Sequence, residues 1–184
     1  AADYDRKTYG GLQTTDPALI ALKKLVYTDQ SFTSDTDDTD FSGNLTVSYK
    51  ATDKINAYAT YAKSYKPVGV NVAGLPSIAG QPALDLAVIK PENVNHYEFG
   101  VKTSPLKNSI LNLTFFNTDI KDFQTNVQAA ELGVNRGYLA NADKVRVKGA
   151  ELDASFKINN HFSVYGAVTY TDGEYVKFTN APLP

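Results

Sequence analysis

Apolar and polar residues alternate with period two along six stretches: Phe41 to Tyr49, Ile55 to Tyr65, Asn95 to Ser104, Ser109 to Asp122, Leu139 to Ile158 and Phe162 to Tyr175. Successive side chains of an extended chain point to opposite faces, so this period predicts β-strands. Several of the stretches reach or exceed the roughly 9–11 residues that a tilted strand needs to cross a bilayer. Strands of globular domains usually run to about 5–6 residues.

The connections alternate in length. Asp53 and Lys54, Pro105 to Asn108, and Asn159 to His161 form short turns, whereas about 10–40, 66–94 and 123–138 are long. In an up-and-down antiparallel sheet, alternate connections share an edge, so tight turns gather at one end and large loops at the other. Loops beyond roughly 12–15 residues are uncommon in compact soluble domains. The pattern therefore predicts an all-β fold, an antiparallel up-and-down segment of a transmembrane β-barrel with short periplasmic turns and long extracellular loops. All of residues 1–184 belong to one domain, with clear strands over about 41–176. In the first loop Asp16 suits a helix cap and Pro17 the first helical position. Leu19, Leu22 and Val26 follow at helical spacing, predicting a helix that packs the loop on its neighbours.

Strand alternation assigns two faces. One carries Leu45, Val47, Phe99, Val101, Leu111, Leu113, Phe115, Leu152, Phe156 and Val164; the other carries Glu98, Lys102, Asn112, Glu151 and Asp153. In a barrel the first set meets lipid and the second lines the lumen. In a soluble sandwich the first set would be the core. Tyr49, Tyr65, Tyr97, Tyr170 and Tyr175 near strand ends suit interfacial girdles.

Composition narrows the chemistry. The chain of 184 residues has a formal net charge of -2, so no basic field points to nucleic acid. It has no Cys, which removes disulfides and thiolate chemistry. It starts at Ala1 without a signal peptide, as a processed product or a piece of a longer sequence would. No apolar run reaches the roughly 18 residues of a membrane-spanning helix. Glu151 and Asp153 are two apart on one strand face, a spacing that acid–base pairs also use, but polar residues at alternate positions are what a wet lumen requires. Asp35, Asp37, Asp38 and Asp40 form an acidic run, and clustered carboxylates can hold calcium. No EF-hand glycine or closing Glu follows, so a solvated acidic loop is the simpler reading. His96 and His161 have no metal-ligand spacing, and no metal site or cofactor is expected. No phosphate loop or nucleophile elbow occurs.

Three stretches resemble the barrel of TonB-dependent receptors. Leu45 to Asn71 resembles the family's hairpin that leads to an extracellular loop, with Tyr65, Lys66, Pro67 and Gly69 matching while Val68 and Val70 depart. In Ile89 to Gln124, Pro91, Glu92, Tyr97, Glu98, Gly100 and Lys102 stand where the family commonly places them. Asn141 to Ile158 is similar to the family's Asn-Ala approach to a Gly-x-Glu strand, here Gly149, Ala150 and Glu151. The resemblance implies a 22-stranded barrel plugged by an N-terminal domain, of which this chain is an internal piece without a recognisable plug.

It further implies a non-enzyme in the outer membrane of a Gram-negative bacterium. Such a receptor binds a scarce nutrient, such as a ferric siderophore, and imports it with energy from the TonB complex acting through the plug. Its partners are then outer-membrane lipid, the nutrient and TonB. Ligand contacts are expected in the loops, at Tyr27, Phe32, Asn71, Gln81, Asp85, Gln124, Asn126, Gln128, Asn135, Arg136 and Tyr138. The rival functions are a passive pore or structural barrel, and a soluble β-sandwich binding module.

Overall fold

In the computed structural model, which describes residues 2–6, 15–26, 30–71, 75–78, 81–131, 134–179 and 181, six long strands form one antiparallel sheet. They are β1 (Gly43–Thr52), β2 (Ile55–Lys66), β3 (Glu92–Thr103), β4 (Ser109–Glu131), β5 (Val134–Lys157) and β6 (Ser163–Lys177). Each pairs with its sequence neighbour, in the order β6-β5-β4-β3-β2-β1. The sheet is not closed, and among the described residues β1 and β6 each keep an outer edge without a strand partner.

Local chemistry sets the turns. Thr52 pairs with Ile55 across the first turn. In the second, Asn108 adopts φ 59°, a left-handed conformation that Asn tolerates well, and the Ser109 hydroxyl donates to the Leu106 carbonyl at 2.7 Å. In the third, Asn159 Oδ1 accepts the backbone N–H groups of His161 at 2.8 Å and Phe162 at 2.9 Å. All three lie at one end of the sheet, as the alternation of connection lengths predicts.

The other end is built differently from the expectation. The connection over 123–138 is not an irregular loop: β4 and β5 continue as a paired hairpin until Glu131 faces Val134. Gln124, Asn126 and Gln128 alternate there with Phe123, Thr125, Val127 and Ala129, so the strand period resumes within the stretch expected to be a loop. The loop 67–91 holds two short antiparallel pairs, Gly69–Val70 with Val88–Ile89 and Ser77–Ile78 with Gln81–Pro82, and a 3-10 turn at Leu84–Leu86. In the first loop, Gln30–Ser34 pairs with Ala2–Arg6. The helix Pro17–Val26 forms, with Asp16 Oδ1 accepting the Ala18 N–H at 2.9 Å. Its Leu19, Ile20 and Leu22 are exposed, so these three do not pack the loop down as expected.

The register sorts side chains onto two faces. One row across the sheet runs Val47, Ala59, Phe99, Phe115, Ala150 and Tyr170. Leu45 is 66% exposed, Phe99 52% and Phe115 49%. Val47, Leu113, Leu152 and Val164 are exposed too, and Val101, Leu111 and Phe156 are half-buried. Burial of such a side chain is worth roughly 1.5–3 kcal/mol, so a water-soluble fold would not leave this continuous set uncovered. Among the described residues no second sheet lies over it, which removes the sandwich reading. The small apolar core lies instead in the loops, where Phe32, Leu75 and Ala87 cluster with Val70 and Leu86 against them.

Candidate functional site

The face opposite the apolar rows is a polar wall. Its rows include Lys50, Asn56, Lys102, Asn112 and Asp153, then Ser48, Tyr58, Gly100, Thr114, Glu151 and Thr169. Glu98 joins the same face between Thr60 and Phe116. Cross-strand hydrogen bonds bind the wall together: Thr46 to Thr60 at 2.9 Å, Ser48 to Asn56 Oδ1 at 2.9 Å, and Asn112 Nδ2 to Asp153 Oδ1 at 3.0 Å. Lys102 Nζ stands 5.2 Å from the centre of the Tyr58 ring. The register thus brings Glu98, Lys102, Asn112, Glu151 and Asp153 together on one face. The Asp153 carboxylate accepts from the Asn112 amide, an ordinary wall contact.

Beyond the apolar rows the same strands turn charged. Tyr61 and Tyr97 pack with tilted rings whose centres are 5.2 Å apart, and the Tyr61 hydroxyl donates to Asn95 at 2.8 Å. The next residues outward include Asp119, which accepts from Arg146 Nε at 2.7 Å and Lys144 Nζ at 3.1 Å. An aromatic row followed by a charged one is the order expected where a barrel leaves the hydrocarbon for the headgroups.

The outer end gathers the loop 67–91 over the β4–β5 hairpin. Glu92 Oε1 accepts the Gln124 N–H at 2.7 Å and lies 3.4 Å from Lys66 Nζ. The Gln124 amide donates to the carbonyls of Pro67 and Lys90, and the Asn71 amide meets both backbone groups of Leu139. Asn71 is 1% exposed and Gln124 8%. Both were expected to contact a ligand; in the structure Gln124 bonds to the loop's backbone, and Asn71 bonds to Leu86 in the loop and to Leu139 on β5. Phe32, also expected among the ligand contacts, is buried against Leu75 and Ala87. Loop composition alone does not tell an amide that greets a ligand from one that closes the loop.

A cleft of ≈ 490 Å³ opens beside this junction, lined among others by Asp85, Lys90, Asp122, Tyr138, Asp143 and Lys177. Asp85 is exposed and Tyr138 half-buried, and burial pushes the Tyr138 phenol above its ordinary pKa. The Asp143 carboxyl is held below its ordinary range, first by the Thr179 backbone N–H at 2.6 Å and then by the Thr179 side chain and Lys177. Asn126 and Gln128 are exposed on β4. Gln81, Asn135 and Arg136 lie on strands, and Tyr27 lies outside the described residues. Lys90, Asn141, Asp143 and Lys177 were not among the expected contacts. Asn141 did lie in a stretch that carries the family resemblance. In the acidic run, Asp38 accepts the Val68 N–H at 3.1 Å and Asp40 pairs with Lys63 at 2.9 Å, which ties the first loop to β2.

Known proteins share this architecture. Residues 3–184 match the family described as TonB dependent receptor-like, beta-barrel. A probable TonB-dependent siderophore receptor, PiuA of Acinetobacter baumannii, is 30% identical over 131 residues, which is 71% of this chain and 17% of that protein. The metal-pseudopaline receptor CntO of Pseudomonas aeruginosa is 32% identical over 134 residues, 73% of this chain and again 17% of the relative. The chain thus spans about a sixth of the length of these curated relatives. Among solved structures, the ferric yersiniabactin uptake receptor FyuA from Yersinia pestis superposes with a TM-score of 0.59 at 23% identity, covering 83% of this chain and 22% of that one.

Proposed function

The chain belongs to the TonB-dependent receptor-like β-barrel family of the Gram-negative outer membrane, and from that premise we propose that it forms part of the wall and outer lip of a receptor that actively imports a scarce nutrient. The single observation that carries the membrane part is the continuous exposed apolar face backed by a hydrogen-bonded polar face. The family consists of receptors and transporters, not enzymes. Relatives named for siderophores and a metal chelate make a ferric siderophore or similar chelate the favoured cargo.

In this reading the apolar rows meet outer-membrane lipid, while Glu98, Lys102, Asn112, Glu151 and Asp153 line the lumen. Asp85, Tyr138, Asn126 and Gln128 are the candidate cargo contacts, because their side chains are accessible at the outer end. Energy enters from TonB through a plug domain seated in the completed barrel. The test is uptake of radiolabelled ferric siderophores by iron-limited cells lacking the gene. Uptake of at least one should fall and return on complementation. Uptake that persists unchanged when TonB is removed would instead indicate a passive pore, and no deficit with any ferric chelate would exclude iron as the cargo.

A further inference from the structure

The loop 67–91 is joined to the β4–β5 hairpin through three carboxamides. Gln124 on β4 donates to Pro67 O at 2.9 Å and Lys90 O at 3.1 Å, so one side chain bridges both ends of the loop. Asn141, opposite Gln124 in the ladder, donates to Lys90 O at 3.0 Å and Asp122 O at 2.7 Å, and accepts the Lys90 N–H at 2.9 Å. Asn71, within the loop, donates to Leu139 O at 2.8 Å and Leu86 O at 3.4 Å, and accepts the Leu139 N–H at 3.2 Å. β6 joins β5 only from Lys144 onward. Leu139 lies beyond its reach, and the Asn71 amide stands in for a neighbouring strand.

Each of the three NH2 groups therefore gives both its protons to backbone carbonyls. Asn71 and Gln124 are almost wholly buried, so water would not replace bonds that a substitution removed. The β2–β3 ladder already holds the loop's ends together through Lys66 and Glu92, and the amides pin the loop to the hairpin beside it.

We propose that Asn71, Gln124 and Asn141 are positioning residues that fix residues 67–71 and 81–91 of the loop and the described outer part of β4 and β5 as one rigid lip, so that the cleft between Asp85 and Tyr138 is preformed before cargo arrives. The cleft's role rests on the receptor reading above; the rigidity of the lip is measurable without any cargo. Spin labels at Asp85→Cys and Gln128→Cys, in the intact receptor reconstituted in lipid nanodiscs, report the loop-to-hairpin distance by pulsed electron resonance. The otherwise unsubstituted protein should give one narrow distance. Asn71→Ala with Gln124→Ala should broaden it. Gln124→Glu, which keeps the length but loses both donated protons, should broaden it as well, whereas Tyr165→Phe, at an exposed position on β6, should not.

A broad distribution before any amide is changed would overturn the proposal. So would a distance that stays narrow in the double variant. Should that variant fail to insert, the unsubstituted protein and Gln124→Glu still decide. A narrow distance, with no uptake of any chelate by cells carrying the unlabelled receptor with Asp85 and Gln128 intact, would sink the cargo reading and leave the lip standing.

Discussion

Tyr58 on β2 lies across Gly100 on β3, and its hydroxyl reaches Thr114 on β4 at 3.2 Å. One ring thereby spans three strands of the polar face. The space exists only because Gly100 lacks a β-carbon: one built there would clash with the Tyr58 ring and hydroxyl. Lys102 then sits over the same ring, so the arrangement also orders a wall charge.

Gly100→Ala should force the Tyr58 ring aside and break its bond to Thr114. The expected loss is about 1–3 kcal/mol, the usual range for overpacking. Gly149→Ala should cost more, because its β-carbon would meet the rigid backbone carbonyl of Tyr170 as well as the Phe116 ring. Gly166→Ala, with open space around it, is the control and should change little. Denaturant unfolding of the protein refolded into bilayers ranks the three.

The two faces should respond oppositely to charge. Phe115→Lys places an ammonium among lipid-facing side chains and should cost about 2–4 kcal/mol if it lies near the bilayer midplane. Asn112→Lys, on the wall beside Asp153, should be tolerated in the folded barrel. Folding efficiency in lipid vesicles measures both. Equal losses at the two sites would contradict the assignment of faces.

Acid should loosen the end of β6. The folded-state pKa of Asp143 is depressed, so its contribution is fully present above the unfolded value of about 3.9 and fades as pH falls through the lower folded value. Protection of the Thr179 N–H against hydrogen exchange should therefore fall as pH drops below about 4, after correction for the intrinsic exchange rate. Asp143→Asn should flatten that dependence. A pH-independent Thr179 in the parent protein would count against the carboxylate's role.

Asp16→Ala should destabilise the helix Pro17–Val26 by about 1 kcal/mol, the usual cost of losing an N-cap, while Asp16→Ser should largely preserve it. The helix's apolar side chains described at Leu19, Ile20 and Leu22 are exposed, so little packing compensates. Faster limited proteolysis within 17–26 is the readout.

Period-two alternation was enough to read the strands, the two faces and the end that carries tight turns, because each follows from where successive β-carbons point along one chain. Val47, Phe99, Phe115 and their row mates could be named as one surface without coordinates for that reason. Whether that surface met lipid or a second sheet was a different matter, since alternation is the same in both cases; strand length and loop asymmetry favoured lipid, and the uncovered sheet agrees. The outer end was less legible. Phe123, Val127 and Ala129 do alternate with Gln124, Asn126 and Gln128, but the largely polar run Asn117 to Asp122 interrupts the apolar row before them, so the strand reads as ending there. Asn71 and Gln124 looked like ligand contacts because a loop amide has the same composition whether it points outward or inward. Only the fold brings Pro67, Lys90 and Leu139, far apart along the chain, within hydrogen-bond reach of those amides, and that proximity turns them from surface groups into the joints of the lip.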